Sequence, residues 1–153
     1  MRKEPTEWRF WPKVHITEGC WTWRAHLNRD GYGVIKHEGK MTKAHRISFM
    51  LLVGDIPKGM QIDHVCHNRR CVNPGHLRLC SNLENSRNSL SKRADRSGFK
   101  GVTRHGNRWQ ARIGVGYKII QLGSFETPEL AHQAYSKAAA ERFGEFACDG
   151  RTV

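Results

Sequence analysis

The stretch "IDHVCHNRRCVNPGHLRLCSNLEN", residues 62–85, decides the fold of the first half of the chain. It contains three histidines, three cysteines and four asparagines in 24 positions. The segments "MQIDH" and "HLRLC" on either side of the central loop are β-prone, and Ser81 followed three residues later by Glu84 forms a capping box. The predicted order is therefore strand, loop, strand and helix, with the helix beginning at about Asn82.

The central loop carries metal ligands at short spacing. Cys66, Cys71 and His76 form the pattern C-x4-C-x4-H. A tetrahedral zinc takes one further ligand. The candidates for it are Cys20, which is favoured, and its rivals Cys80 and His67. A polar loop of this length buries too little apolar surface to hold its own shape, so a structural zinc would stabilise it. The alternative is a set of buried free thiols beside a surface histidine.

Asp63, His64 and Asn85 are then left without a structural role. A neutral imidazole takes a proton from water near neutral pH, and carboxylate and amide oxygens are ligands for Mg²⁺. Together they suit metal-assisted hydrolysis of a phosphodiester. One histidine beside one aspartate is more often structural, so this pattern alone does not decide the function.

Composition indicates the partner and the compartment. Lys and Arg number 26 against 14 Asp and Glu, a net charge of +12, which favours a nucleic-acid partner over a merely solvated basic surface. The sequence shows neither an apolar run long enough for a membrane span nor the apolar core of a signal peptide. We expect a cytoplasmic protein whose five cysteines are reduced, which favours metal ligands over disulfides.

Charge also divides the chain. Between residues 87 and 118 nine Lys or Arg face a single acid, Asp95. The polar piece at 88–97 predicts a basic linker. The sequence thus predicts one domain at 1–87 and a second domain at 98–153.

The rest of the first domain shows one hairpin and one helix. Tyr32–His37 is β-prone and is followed by a Glu38-Gly39 turn. Apolar residues at 44, 47, 50 and 51 then predict an amphipathic helix, with Thr42 as its N-cap and Gly54 beyond its end.

The second domain predicts a three-stranded sheet backed by a helix. In "RWQARI", Trp109, Ala111 and Ile113 alternate with polar residues, as in a half-buried strand. Thr127 and Pro128 suit the start of a helix and Gly144 its end. The whole chain is therefore expected to be α+β, with a zinc-stabilised ββα unit followed by a small antiparallel sheet and one helix.

Asp63-His64, the "CVNPGHL" of residues 71–77, and Asn85 resemble the HNH, or ββα-metal, nuclease motif. The stretch is most similar to phage and intron-encoded homing endonucleases, including the His-Cys box type. The resemblance implies that His64 is the general base, that Asn85 and Asp63 bind one catalytic Mg²⁺ or Mn²⁺, and that Asn73 holds the loop. It also implies a structural Zn²⁺ on Cys20, Cys66, Cys71 and His76.

The second domain resembles the APETALA-type (ethylene-response-factor) DNA-binding domain. The match rests on "GV" at 101–102, "W-x-A-x-I" at 109–113, "LGSF" at 122–125 and "A-x-x-A-Y" at 131–135. In that fold the sheet enters the major groove. By position, the residues expected to face DNA there are Arg104, Arg108, Gln110, Arg112, Lys118 and Gln121. In the nuclease-like part, the candidates are Arg46, Arg69, Arg70 and Arg87, and Arg46 is equally read as a solvated helix charge.

These resemblances imply a site-preferring DNA endonuclease of the homing type, leaving 5′-phosphate and 3′-hydroxyl ends. The alternative is a zinc-stabilised DNA-binding regulator without nuclease activity, which would have no need of His64 and Asn85. An RNA-binding protein is disfavoured because the sequence lacks evident aromatic platforms for unstacked bases. The target site, nicking or double-strand cleavage, and a monomeric or homodimeric state are left open.

Overall fold

The computed structural model of the chain describes residues 4–88 and 97–148. The chain divides into two compact units, with the boundary between Asn82 and Leu83. Most of the linker predicted at 88–97 lies outside the described residues. No helix in the described ranges is long and apolar enough to cross a lipid bilayer.

The first unit is built from short antiparallel strand pairs and helices. Its strands pair in chain order, the first with the second, the third with the fourth and the fifth with the sixth. The elements are α1 (Thr6–Phe10), a 3₁₀ turn (Trp11–Lys13), β1 (Val14–His15), β2 (Thr22–Trp23), β3 (Val34–His37), β4 (Lys40–Lys43), α2 (Ala44–Leu52), β5 (Gln61–His64), a 3₁₀ turn (Pro74–His76) and β6 (Leu77–Cys80). The main core cluster comprises Phe10, Trp23, Ile35, Ala44, Ile47 and Val72.

The hairpin predicted around Glu38-Gly39 is confirmed. Both residues have positive φ, 47° and 84°. Two consecutive positive φ values are the signature of the tight turn whose twist matches that of the flanking strands. This turn brings β4 back alongside β3 and delivers the chain to the start of α2.

The prediction that Thr42 caps α2 is wrong. Thr42 lies in β4, opposite Ile35. The strand β4 continues to Lys43, and α2 begins at the next residue, Ala44. The Ala44 N–H donates to the backbone oxygen of Gly33 at 2.7 Å, so the sheet supplies the partner that a cap would have provided. The other end is as predicted, since Gly54, beyond the helix, has φ 145° and its N–H donates to Phe49.

The predicted strand–loop–strand–helix order of residues 62–85 is confirmed. β5 and β6 pair antiparallel, with His64 opposite Leu77 and Asp63 opposite Arg78. The helix α3 spans Asn82–Asn88, starting where the capping box placed it. Most of α3 belongs to the second unit, because the boundary falls after its first residue.

The second unit contains the predicted sheet and helix. The strands β7 (Val102–His105), β8 (Arg108–Val115) and β9 (Lys118–Phe125) form one antiparallel sheet in that order, followed by α4 (Pro128–Phe143) and a 3₁₀ turn (Gly144–Phe146). Ala111 and Ile113 are buried, as the alternation predicted. They belong to the clusters that join the sheet to Ala131, Tyr135, Ala138 and Ala139 of α4.

Small residues let α4 approach the sheet closely. Gly101 has φ 74°, and a Cβ built on it would lie 2.1 Å from Cδ2 of Tyr135. Any side chain at this position would therefore collide with the helix. At the helix start, the Thr127 hydroxyl accepts a hydrogen bond from the Leu130 N–H at 3.3 Å, as expected of an N-cap.

Candidate functional site

Four side chains of the first unit form a cluster that could bind a metal. The ligand atoms of Cys20, Cys66, Cys71 and His76 all lie within 4.8 Å of one another. Nδ1 of His76 is 3.5 Å from Sγ of Cys20 and 3.6 Å from Sγ of Cys71. Tetrahedral zinc with bonds of about 2.0–2.3 Å places neighbouring ligand atoms roughly 3.5–3.8 Å apart. The donor set and its spacing therefore fit zinc.

Backbone pairing explains how Cys20 reaches ligands so far along the chain. The Val72 N–H donates to the oxygen of Trp21 at 2.8 Å, and the Trp23 N–H donates to the oxygen of Arg70 at 2.9 Å. The segment that follows Cys20 is thus bonded alongside the second half of the loop. Sequence spacing does not show this pairing, and the rivals Cys80 and His67 are not members of the cluster.

Asn73 holds the loop from its other side. Its Nδ2 donates to the backbone oxygen of Gly19 at 2.7 Å, next to Cys20. Its Oδ1 accepts from the Gly75 N–H at 2.9 Å and caps the 3₁₀ turn that contains His76. One amide side chain therefore fixes the backbone beside two of the four cluster members.

The thiols of the cluster are linked to one another. A hydrogen bond from the Cys71 thiol, with a further one from the Asn68 N–H, lowers the pKa of Cys66 to about 5. The same thiol–thiol hydrogen bond raises the pKa of Cys71. A thiolate is the form that ligates metal, so the loop already favours the ligating form at Cys66.

His64 lies next to this cluster through the backbone. It is 7 % exposed, and its Nε2 lies 2.9 Å from the backbone oxygen of Cys71. Because a carbonyl oxygen only accepts, the ring proton is on Nε2, and Nδ1 carries the lone pair. Burial lowers the pKa of His64, and the charge of Lys43 acts in the same direction. The imidazole is therefore neutral near pH 7, with Nδ1 as its basic atom.

Asp63 makes a buried ion pair. Its Oδ2 accepts from Nε and Nη2 of Arg78 at 3.0 and 2.9 Å, directly across the β5–β6 pair. The carboxylate is 6 % exposed. A carboxylate oxygen is the donor type that Mg²⁺ takes, but this one already neutralises a cation. The structure thus gives Asp63 a structural partner that the sequence did not indicate.

Two aromatic residues beside His64 were missed by the sequence analysis. The ring of His45 packs edge-on against that of His64 with centroids 4.6 Å apart, and Tyr32 lies 5.4 Å from His45 and 6.0 Å from His64. His45 is 4 % exposed, and among the described residues its Nδ1 has no hydrogen-bond partner. Burial, with the charges of His64 and Lys43, lowers the pKa of His45 to about 2.

The residues of the first unit that were predicted to contact DNA are held by different contacts. Arg69 donates through Nη1 to the backbone oxygen of Asp30 at 2.7 Å, and Arg70 donates through Nη2 to that of Trp23 at 3.2 Å. Arg46 is half-buried in α2. The ring of Tyr32 lies under two cations, with Nζ of Lys43 at 4.2 Å and Cζ of Arg69 at 5.3 Å from its centroid.

Two predicted site residues lie in α3. Asn85 is half-buried. Arg87 places its guanidinium carbon 4.5 Å from the ring centroid of Phe143, a cation–π contact within the second unit. The role of Asn85 in metal binding and that of Arg87 in DNA binding stay predictions.

The register of the second sheet divides the residues predicted to contact DNA between its two faces. Arg112 pairs with Gln121, and Gln110 pairs with Thr103, on the face away from α4. Arg104 instead pairs with Trp109, and Lys118 pairs with Val115. Directly paired residues share a face.

Arg104 and Lys118 therefore lie on the side of the sheet opposite to Arg112, and their role in DNA binding stays a prediction. Trp109 and Val115 lie on the same side of β8 as the buried Ala111 and Ile113, so their partners do too. Arg108 lies on the predicted face and donates through Nη2 to the Ser124 oxygen at 3.1 Å.

Comparison with known proteins shows a likeness to one family around His64. The profile of the HNH endonuclease family matches residues 42–87. The chain is 34 % identical over 91 residues to Protein 2.8 of Escherichia phage T7, covering 58 % of this chain and 62 % of that protein. It is 31 % identical over 127 residues to an uncharacterized HNH endonuclease of Acanthamoeba polyphaga mimivirus, covering 82 % of this chain and 66 % of that protein. The chain thus spans under two thirds of either relative.

A shorter likeness is to a plant transcription factor. A segment of 45 residues is 53 % identical to AP2-like ethylene-responsive transcription factor AIL5 of Arabidopsis thaliana, covering 27 % of this chain and 8 % of that protein. The match to the HNH endonuclease family, together with the strand–loop–strand–helix order of its elements, identifies residues 42–87 as an HNH endonuclease domain.

Proposed function

We propose that this protein is a site-preferring DNA endonuclease of the homing type, with His64 as its general base. The observation that carries the proposal is the orientation of His64. Its Nε2 is held by the backbone oxygen of Cys71 at 2.9 Å, and its Nδ1 is the basic atom. A neutral imidazole fixed in one tautomer is what proton abstraction from water requires.

In the proposed reaction, Nδ1 of His64 takes a proton from a water that attacks phosphorus in line with the departing 3′-oxygen. The backbone oxygen of Cys71 accepts a hydrogen bond from the Nε2–H of His64 before and after this transfer, so the orientation of the ring stays fixed. By resemblance, Asp63 and Asn85 would hold Mg²⁺ or Mn²⁺, which supplies charge stabilisation at the phosphate and the leaving oxygen. The products carry 5′-phosphate and 3′-hydroxyl ends.

The Cys20, Cys66, Cys71 and His76 cluster is proposed to bind a structural Zn²⁺. All four positions are filled by protein ligands, as in closed structural sites, so the cluster itself is given no part in the chemistry. Its effect on catalysis is positional. It fixes the loop whose Cys71 oxygen orients His64.

The second unit is proposed to select the site through its sheet. Arg108, Gln110, Arg112 and Gln121 lie on the face away from α4, where side chains of this kind suit hydrogen bonds to base edges and phosphates. The net charge of +12 favours double-stranded DNA as the partner.

The test is cleavage of supercoiled plasmid DNA by the purified chain with Mg²⁺, with and without chelator. We expect relaxed or linear DNA in the presence of Mg²⁺ and none with chelator. Ligation of the products by DNA ligase without prior treatment would confirm their end chemistry. Tight, sequence-dependent binding without cleavage under any divalent metal would instead establish the regulator alternative.

A further inference from the structure

Tyr32 places two cations beside the proposed general base. Nζ of Lys43 lies 4.2 Å and Cζ of Arg69 lies 5.3 Å from the centre of its ring. The ring itself lies 6.0 Å from that of His64. Three residues from three separate parts of the sequence thus converge at the edge of the site.

The backbone holds each of the three in place. Tyr32 exchanges hydrogen bonds with Asn28, whose Oδ1 accepts from the Tyr32 N–H and whose N–H donates to the Tyr32 oxygen, both at 2.9 Å. Lys43 is the last residue of β4, opposite Val34. Arg69 is tied by Nη1 to the backbone oxygen of Asp30 at 2.7 Å.

This arrangement suits an anion. Lys43 and Arg69 are both exposed, so their heads remain accessible to a ligand. Two positive charges beside one ring repel each other, and the negative face of the ring offsets only part of that repulsion. An anion with several oxygens would accept from both cations at once, since each retains N–H donors.

We propose that Lys43 and Arg69, held on the ring of Tyr32, bind the phosphodiester that is attacked by the water His64 deprotonates. This inference rests on the proposed nuclease function. Lys43 and Arg69 would contact the non-bridging oxygens, where negative charge increases in the transition state. Tyr32 touches no substrate atom in this account. It is a positioning residue that acts through the two cations.

The first arm of the test separates the ring of Tyr32 from its hydroxyl. Tyr32→Leu removes the ring, and we expect kcat/KM on plasmid DNA to fall about tenfold or more. Tyr32→Phe keeps the ring, and we expect it to recover most of that loss. If Tyr32→Phe were as impaired as Tyr32→Leu, the hydroxyl would be the functional group and the proposal would be overturned.

The second arm tests whether the ring acts through the cations. In a chain that already carries Lys43→Met and Arg69→Met, adding Tyr32→Leu should lower kcat/KM by less than about twofold, because nothing is left to position. A ring that only supports the fold would cost as much in this background as in the wild type. That additive result would contradict the proposal.

Lys40→Met is the matched control, since Lys40 is an exposed lysine at the other end of β4. Lys43→Met should lower kcat/KM about tenfold, and Lys40→Met should have less than a twofold effect. Equal effects of Lys43→Met and Lys40→Met would mean that Lys43 contributes only as one of many surface charges, and would overturn the proposal. Zinc content and thermal unfolding, measured for every variant, identify any that fails to fold.

Failure of the proposed nuclease function would show differently. If the wild-type chain cleaved no DNA, the cations would still be tested by fluorescence anisotropy on a short DNA duplex. Weaker binding by Lys43→Met than by Lys40→Met, with Tyr32→Leu intermediate, would support the anion site without the chemistry. Equal binding by all three variants would overturn it.

Discussion

Nε2 of His64 lies 2.9 Å from the backbone oxygen of Cys71, and Cys71 is also a member of the Cys/His cluster. The proposed base and the proposed zinc site therefore share one residue. A change that releases the loop from its metal moves the oxygen that orients the imidazole. Stability of the loop and catalysis are expected to fail together.

Cys71→Ser should release zinc and lower cleavage by at least about 100-fold. The serine retains the backbone oxygen, so any loss of activity reports displacement of the loop and not loss of the acceptor itself. Metal analysis of the purified variant and its cleavage rate are the measurements. Cys80→Ser is the control, because Cys80 is buried outside the cluster and should keep one zinc per chain. A Cys71→Ser chain that is folded, zinc-free and fully active would contradict the shared dependence.

Asp63→Asn and Arg78→Met together separate a metal role of Asp63 from its ion pair with Arg78, because both break the pair and only the first removes the carboxylate. If Asp63 binds the catalytic metal, Asp63→Asn should lower kcat about 100-fold or more and raise the Mg²⁺ concentration needed for half-maximal rate. Arg78→Met removes the other partner and leaves the carboxylate. It should destabilise the first unit, by about 3 kcal/mol or more for an uncompensated buried charge, yet preserve the Mg²⁺ requirement of the folded protein. Equal Mg²⁺ requirements in Asp63→Asn and the wild type would remove Asp63 from the metal site.

His45 predicts a pH dependence of stability. The pKa of this buried histidine is lowered to about 2, against an ordinary value of 6.5 for the unfolded chain. The unfolded state therefore binds a proton that the folded state excludes as the pH falls below 6.5. The contribution of His45 to the free energy of unfolding is therefore present above pH 6.5 and is lost below it. This loss amounts to about 1 kcal/mol between roughly pH 7 and pH 5.5.

His45→Phe should flatten this dependence, because phenylalanine keeps the ring and takes up no proton. Chemical denaturation of the zinc-loaded chains at both pH values gives the comparison, and His45→Gln provides a second variant should the phenylalanine fit poorly. An unchanged slope in both variants would mean that His45 is protonated in the folded state.

The sheet of the second unit offers a test with an internal control. Arg112→Ala with Gln121→Ala alters a directly paired couple on the face away from α4. Affinity for a preferred site should fall at least tenfold more than affinity for random DNA, since base contacts carry the discrimination. Arg104→Ala with Lys118→Ala removes two exposed cations from the opposite face. This second pair of substitutions should lower the affinity for the preferred site and for random DNA by the same factor. If it instead lowered the affinity for the preferred site selectively, and the first pair did not, recognition would lie on the face that packs on α4.

Local signals in the sequence predicted the strands from β3 onward, the α3 start and the Thr127 cap, because each depends on residues a few positions apart. They did not predict β1 and β2. Contacts across the chain were harder to predict. Tyr32, Lys43 and His45 lie well before the motif and join His64 only because the β3–β4 hairpin returns the chain there. Thr42 failed as a cap because strand pairing continued past it. Alternation within a strand does not give the register with its neighbour, so the sequence did not show that Arg104 and Lys118 lie on the opposite side of the sheet from Arg112.

The most direct test of the central claim is the single-turnover cleavage rate of His64→Ala beside its DNA affinity. The account predicts a rate about 10²–10⁴-fold below that of the wild type, with nearly unchanged affinity and zinc content, because only proton abstraction is lost. A His64→Ala chain that cleaves DNA at the wild-type rate would show that His64 is not the base.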